Sequence, residues 1–168
     1  MKKVFFTTVM AISAFVFLSC EKKSIDAERP VIKLIAPEEE EGIKPGADIH
    51  FDLELTDNVA LGSYKVNIHP NFDGHHHAVA RGANVNDGGF NKTWEEKEFI
   101  AKGEEPVKGK KSAKIHHHHI VIPREINGKP IKEGEYHFMV HCTDMAGNDN
   151  YVARNIIISS GAEEHEHH

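Results

Sequence analysis

The residues of this chain best suited to chemistry are its histidines, which number 14 among 168 residues. A triplet occupies residues 75–77, a quartet occupies residues 116–119, and residues 164–168 read Glu-His-Glu-His-His. Neutral imidazole is the commonest protein ligand for zinc and also suits copper, provided that three or four donors converge on one ion. The clustering therefore predicts binding of zinc or copper. The candidate ligands are His50, His69, His75, His76, His77, His116, His117, His118, His119, His137 and His141.

A primary site is expected where one strand ends beside the start of a neighbouring strand. If the strand ending at His69 lies antiparallel to the strand containing His137, both side chains emerge at the same end of one sheet. The triplet starts six residues after His69, so that His75 and His77 can fold back over this end. His50 is expected at the same end on the opposite sheet.

The quartet at residues 116–119 is expected to form a second site. It precedes a predicted strand at residues 120–122, which by the same reasoning places it at the other end of the domain, near His141 and Asp144. Successive side chains on a strand alternate between faces, so four consecutive histidines give two pairs, one on each face.

Each histidine also has a plainer interpretation. A single outward residue such as His50 is commonly an ordinary surface residue, and clustered histidines can respond to pH because imidazole titrates near 6.5. Cys142 shares the parity of inward residues, so it is predicted to be a core residue. Met139 faces outward, where a thioether would favour copper, but the expected interpretation is an ordinary exposed methionine.

Two Asp-Asn pairs offer oxygen ligands. Asp57 with Asn58, and Asp144 with Asn148, fit turns in which these side chains bond their own backbone. Calcium ligation is the alternative. The chain has no His-Glu-x-x-His, nucleophile-elbow or P-loop motif, so an enzyme is not expected.

The elements that must position these residues are β-strands. Asp48–Thr56 alternates strictly between apolar and polar residues, and no apolar period of 3.6 persists for three helical turns. Tyr136 fits a tyrosine corner, which favours an immunoglobulin-like antiparallel β-sandwich of the all-β class. Residues 70–114, which include Trp94, form an unusually long insertion. The other predicted strands are 31–35, 61–69, 120–122, 136–143 and 151–159.

The N-terminus resembles a bacterial lipoprotein signal. Lys2 and Lys3 precede a short apolar stretch that ends in Ser19-Cys20, which fits a signal peptide over residues 1–19 and acylation of Cys20. The apolar stretch is shorter than the roughly 20 residues of a membrane-spanning helix. We therefore expect a protein anchored to a membrane of the cell envelope, the outer membrane, on its periplasmic or surface face.

Composition and charge limit the remaining choices. The net charge of −6 becomes −8 once two lysines leave with the signal, which argues against a nucleic-acid partner. Residues 20–29 are polar and fit a flexible tether, residues 30–160 suffice for one sandwich, and residues 161–168 form a His/Glu-rich tail.

Several motifs together resemble a family of uncharacterised Bacteroidetes lipoproteins with a histidine-rich immunoglobulin-like domain. The resemblance covers essentially the whole mature domain and implies its fold and compartment, but no activity. The segments that carry the resemblance are residues 57–61, 63–69, 75–77, 120–123, 134–137 and 144–148.

Two functions remain open from the sequence. The leading hypothesis is a non-catalytic lipoprotein that captures or buffers zinc or copper, with an outer-membrane transporter as a candidate partner. The alternative is a surface adhesion module that presents residues 70–114 to a protein or glycan, with Phe90 and Trp94 as an aromatic anchor.

Overall fold

The computed structural model describes residues 26–72 and 89–163. Its sheets are built from short and medium-length strands, with one helix of five residues among the described residues. The predicted signal peptide, Cys20, the triplet at residues 75–77 and the tail residues 164–168 lie outside these ranges. The elements are β1 (Val31–Ala36), β2 (Glu41–Ile43), β3 (Asp48–Thr56), β4 (Leu61–Pro70), β5 (Lys92–Glu95), α1 (Glu96–Ile100), β6 (Ser112–Val121), β7 (Glu125–Ile126), β8 (Lys129–Pro130), β9 (Gly134–Asp144) and β10 (Asp149–Ile158).

Two sheets form the immunoglobulin-like β-sandwich that the sequence predicts. One sheet has the order β1-β3-β6, and the other has the order β2-β10-β9-β4-β5. All neighbours in these sheets are antiparallel except β2 and β10, which run parallel. Strands β7 and β8 form a separate small hairpin. None of the helical residues in the described ranges forms a span long and apolar enough to cross a membrane.

The core follows from the alternation of apolar residues. The four apolar residues of β3 (Ile49, Phe51, Leu53, Leu55) have no exposed surface, and Tyr64, Val66 and Ile68 of β4 are buried against them. Burying one such side chain contributes about 1.5–3 kcal/mol. Cys142 is also fully buried, as its parity predicts.

Tyr136 is the tyrosine corner that the sequence predicts. Its ring has no exposed surface, and its hydroxyl donates a hydrogen bond of 2.6 Å to the carbonyl oxygen of Lys132, four residues upstream. This bond fixes the entry into β9, and therefore the position of His137 beside it.

The long segment after β4 contains structure that the sequence pattern did not reveal. Residues 92–95 add β5 to the edge of the five-stranded sheet, and α1 follows directly. The helix begins with the backbone N–H of Glu95 donating to Glu98 Oε1 at 3.0 Å, a capping interaction. Five residues are too few for helical periodicity to show in a sequence.

The two aromatic residues of this segment lie in the core. Phe90 and Trp94 are 5% and 3% exposed, and their ring centroids are 5.8 Å apart. Their proposed role as an exposed aromatic anchor is therefore wrong, because both rings are packed in the hydrophobic core instead of facing solvent.

Candidate metal centre

The histidine quartet lies within β6 rather than before a strand. The strand begins at Ser112, so the quartet occupies its second half and pairs with the first half of β3, where His116 faces Asp52 and His117 faces Phe51. The prediction that the quartet lies at the far end of the domain is therefore wrong. An antiparallel neighbour brings the end of β6 to the start of β3, where His50 lies.

A β-bulge determines which face of the sheet each of the four histidines occupies. Ile49 pairs with Ile120 and Phe51 pairs with His117, so that two residues of β6, 118 and 119, oppose the single residue His50. Such a bulge shifts the alternation by one residue, which keeps both His117 and Ile120 buried. The quartet forms two pairs on two faces, as predicted, because His116 and His118 point outward beside His50.

The outward pair and His50 form a cluster on the outer face of the three-stranded sheet. The ring centroids of His50 lie 4.9 Å from His116 and 5.1 Å from His118. One donor atom each from His50, Asp52 and His116 lie within 4.8 Å of one another. A tetrahedral zinc ion with bonds near 2.0–2.1 Å holds its donors about 3.3 Å apart. Because His50 and His116 are exposed, small rotations can close the remaining distance.

A second carboxylate lies beside the cluster. Asp48 Oδ2 is 3.3 Å from His118 Nδ1, an ion-pair distance without hydrogen-bond geometry, so this carboxylate adds negative charge next to the histidines. Asp48 and His50 also line a cavity of about 680 Å³, together with Arg124 and Glu133. The cluster is therefore open to small solutes on this side.

The inward pair has a structural role. His117 is 4% exposed and packs against Phe99 and Phe51, with ring centroids 4.5 and 5.0 Å away. Burial, together with the neighbouring His119, lowers the pKa of His117 to about 4. His119 lies over the His117 ring, and its Nε2 atom is 3.1 Å from Glu104 Oε1. His117 is thus a neutral core residue at pH 7.

The first predicted site is only partly within the described residues. His69 and His137 occupy paired positions on β4 and β9, and His69 Nε2 lies 3.3 Å from His137 Nδ1, which confirms their predicted meeting. His69 Nδ1 lies 2.6 Å from Asn67 Oδ1. His75, His76 and His77 lie outside the described residues, so the four-ligand set remains a prediction.

The structure does not bring His141 or Asp144 to the quartet. His141 lies on β9 in the five-stranded sheet, where its ring centroid is 5.5 Å from that of Tyr151, and burial lowers its pKa. Asp144 begins the turn between β9 and β10 and bonds the backbone of that turn. The predicted grouping is wrong because β6 belongs to the other sheet, whose outer face points the opposite way.

Sequence reasoning missed the two carboxylates of the cluster. Asp48 and Asp52 flank His50 at a spacing of two, so the period of the strand alone puts all three on one face. The next residue on this face, Glu54, is bound by Lys33 and Lys114, both 3.0 Å away. These lysines lower the pKa of Glu54 and occupy its carboxylate. Asp52, by contrast, forms no salt bridge with a lysine or arginine in residues 26–72 and 89–163, so its carboxylate is available beside the histidines.

Comparison with known proteins gives a family without a known activity. No curated protein matches the chain. One family model matches residues 18–159, which include every described strand and both histidine groups. The chain belongs to the uncharacterised family described as Domain of unknown function (DUF4625).

Proposed function

We propose that this protein binds zinc or copper through the outer-face cluster of His50, Asp52 and His116, with His118 as a fourth contributor. The observation that carries the proposal is the approach of three donor atoms to within 4.8 Å of one another. Two imidazoles and one carboxylate form a donor set that suits Zn²⁺ or Cu²⁺ and that binds Ca²⁺ or Mg²⁺ poorly.

The buried thiol of Cys142 favours the divalent ions over Cu(I). Cys142 is fully buried, and burial together with nearby carboxylates raises its pKa to about 12. The thiolate is the form that binds metal, so this cysteine supplies no soft ligand at neutral pH. Nitrogen and oxygen donors therefore define the site.

The position of the cluster fits capture and buffering rather than catalysis. The donors lie on an exposed sheet face beside an open cavity, where an ion can enter and leave. We propose that Cys20 anchors the protein by a lipid to the outer membrane of the cell envelope, on its periplasmic or surface face. From there, the protein would hold the metal non-catalytically and pass it to an outer-membrane transporter.

Calorimetric titration of the metal-free, untagged full chain in mild detergent tests this function. We expect binding of Zn²⁺ or Cu²⁺ at pH 7.5 with a Kd below about 10 μM, and weaker binding at pH 5.5 because imidazole must be deprotonated to coordinate. A chain ending at Glu163 separates this site from the tail. The double variant His50→Asn/His116→Asn should lose at least about 30-fold in affinity.

A matched pair of carboxylate variants provides the control. Asp52→Asn should weaken binding about 10-fold, whereas Glu54→Gln, two residues further along the same face, should change the affinity less than about twofold. If neither Zn²⁺ nor Cu²⁺ binds with a Kd below about 10 μM, the proposed function is contradicted. Equal effects of the two substitutions would contradict the placement of the site.

A further inference from the structure

Three aspartates meet at the opposite end of the sandwich from the histidine cluster. Asp57 follows β3, Asp144 ends β9, and Asp26 precedes β1 in the chain. One carboxylate oxygen from each lies within 4.8 Å of the other two. Three separate segments thus contribute to one group of oxygens.

A second observation, at Asp57, indicates that a ligand is missing from this group. It is 8% exposed, and its Oδ1 accepts hydrogen bonds from the backbone N–H groups of Val59 at 2.9 Å and Ala60 at 2.6 Å. Its Oδ2 is buried and has no hydrogen-bond partner among the described residues. A buried carboxylate oxygen without a partner is costly. Both oxygens share one carbon, so the unpartnered Oδ2 lies beside the group whichever oxygen of Asp57 contributes to it.

The negative charge of the group has no basic partner within residues 26–72 and 89–163. No salt bridge joins these carboxylates to a lysine or arginine there. Burial would raise the pKa of Asp144, but hydrogen bonds from Asn148, Gly147 and Ala146 outweigh it and keep the pKa below its ordinary value. These bonds hold Asp144 in its charged form.

Two asparagines hold the N-terminal segment at the group. The Asn58 side chain donates to Asp26 Oδ1 at 3.1 Å, and the Asn148 side chain donates to the carbonyl oxygen of Asp26 at 3.2 Å. Asp26 therefore joins the group through contacts with both loops. Oxygen ligands from acidic loops, with water completing six to eight positions, are the environment that calcium prefers.

We propose that Asp26, Asp57 and Asp144 form a Ca²⁺ site that fastens the segment before β1 to the loops β3–β4 and β9–β10. The ion supplies the missing partner of Asp57 Oδ2 and offsets the mutual repulsion of three carboxylates. Its chemistry differs from that of the histidine cluster, so either site can exist without the other.

Calorimetry of the EDTA-treated full chain in mild detergent, with CaCl₂ as the probe, tests the proposal. We expect one equivalent to bind with a Kd between about 100 μM and 1 mM, as extracellular calcium modules do. Binding should raise the Tm by several degrees. It should also slow the exchange of backbone amide hydrogens at residues 26–29.

Neutral variants of two acidic residues in the same segment provide the matched comparison. Asp26→Asn keeps an oxygen for the bonds to Asn58 and Glu28 but removes a charge, and should lower the Ca²⁺ affinity at least about 10-fold. Glu28→Gln, outside the group, should change the affinity less than about twofold.

Three outcomes would overturn the assignment. The first is that 5 mM CaCl₂, well above the expected Kd, gives no heat of binding and no change in Tm. The second is that Asp26→Asn and Glu28→Gln lower the Ca²⁺ affinity equally. The third is that MgCl₂ gives the same heat and the same Tm shift as CaCl₂. None of them bears on the binding of zinc or copper at the histidine cluster.

Discussion

The two ends of the sandwich differ in how the polar side chains of their clusters are placed: exposed on a sheet face at one end, and buried with hydrogen bonds to the backbone at the other. At the end where β3 starts and β4 stops, His50 and His116 of the outer-face cluster are exposed, and removing either side chain leaves the backbone hydrogen bonds of the strands intact. At the other end, Asp57 and Asp144 are buried and accept hydrogen bonds from the backbone of their own loops. The fold can therefore form without the exposed histidine cluster, whereas the buried aspartates help to hold their loops in place.

The donor chemistry differs in the same sense. Imidazole and one carboxylate favour borderline ions such as zinc, while a group made only of oxygens favours hard ions such as calcium. Strands β3 and β9 both extend from one end of the sandwich to the other. Each strand therefore has histidine at one end and aspartate at the other, and the two kinds of candidate site are a sandwich length apart.

The largest effect on stability is expected at Asp144. Its carboxylate accepts the backbone N–H groups of Ala146 and Asn148 and the side-chain amide of Asn148, at 2.7–2.8 Å. Asp144→Ala leaves these donors unpaired, and the free energy of unfolding in EDTA should fall by about 3 kcal/mol. Urea denaturation followed by circular dichroism measures this change.

Two control variants are compared with Asp144→Ala. Asp144→Asn relieves the same charge repulsion but keeps one acceptor oxygen, and should cost less than about 1 kcal/mol. His50→Ala at the other end should cost less than about 0.5 kcal/mol. A cost for His50→Ala as large as that for Asp144→Ala would remove the distinction between the two ends.

His117 differs from the outer-face cluster because, like His137, it is buried in the sandwich. Its folded-state pKa of about 4 lies below the ordinary value of 6.5, so the unfolded chain binds its proton more readily. The associated stability is present above pH 6.5 and is lost as the pH falls towards 4. Between pH 7.5 and 5 this residue should contribute a loss of about 2 kcal/mol.

Comparison with His117→Leu isolates this contribution from other titrating groups. The leucine keeps an apolar side chain against Phe51 and Phe99, and the variant should lose about 2 kcal/mol less than the original chain between these pH values. Parallel urea denaturations at pH 7.5 and 5 provide the difference. Identical losses in both chains would show that His117 does not titrate as a buried base.

Regular alternation made much of the fold predictable. The bounds of β3 and the inward residues of β4 follow from a period of two, and the antiparallel pairing of β4 with β9 correctly brings His69 to His137. The tyrosine corner at Tyr136 follows from its place at the start of a predicted strand.

The site was harder to predict because the first half of β6 gives only a weak strand signal. Residues 112–115 (Ser-Ala-Lys-Ile) alternate over only four positions with one large apolar residue, four histidines follow, and the bulge at residues 118 and 119 breaks the alternation, so the pattern becomes clear only at Ile120. That eight-residue difference, from 112 to 120, moved the quartet to the wrong end. The pairing of His116 with Asp52 depends on contacts between residues 64 positions apart in the chain, which no local pattern contains.

The smallest effect is expected at His69, and it locates the metal within the histidine end. His69 lies beside His137 on the five-stranded sheet, away from the outer face that carries His50 and His116. His69→Asn should therefore change the affinity of the tightest Zn²⁺ or Cu²⁺ step less than about threefold, whereas His50→Asn should weaken it about 10-fold. Both substitutions remove one imidazole, so calorimetry of the two variants compares the sheets directly. Should His69→Asn abolish the tight step and His50→Asn leave it intact, the primary centre would lie on the five-stranded sheet, where His69 and His137 would have to recruit donors from residues 75–77.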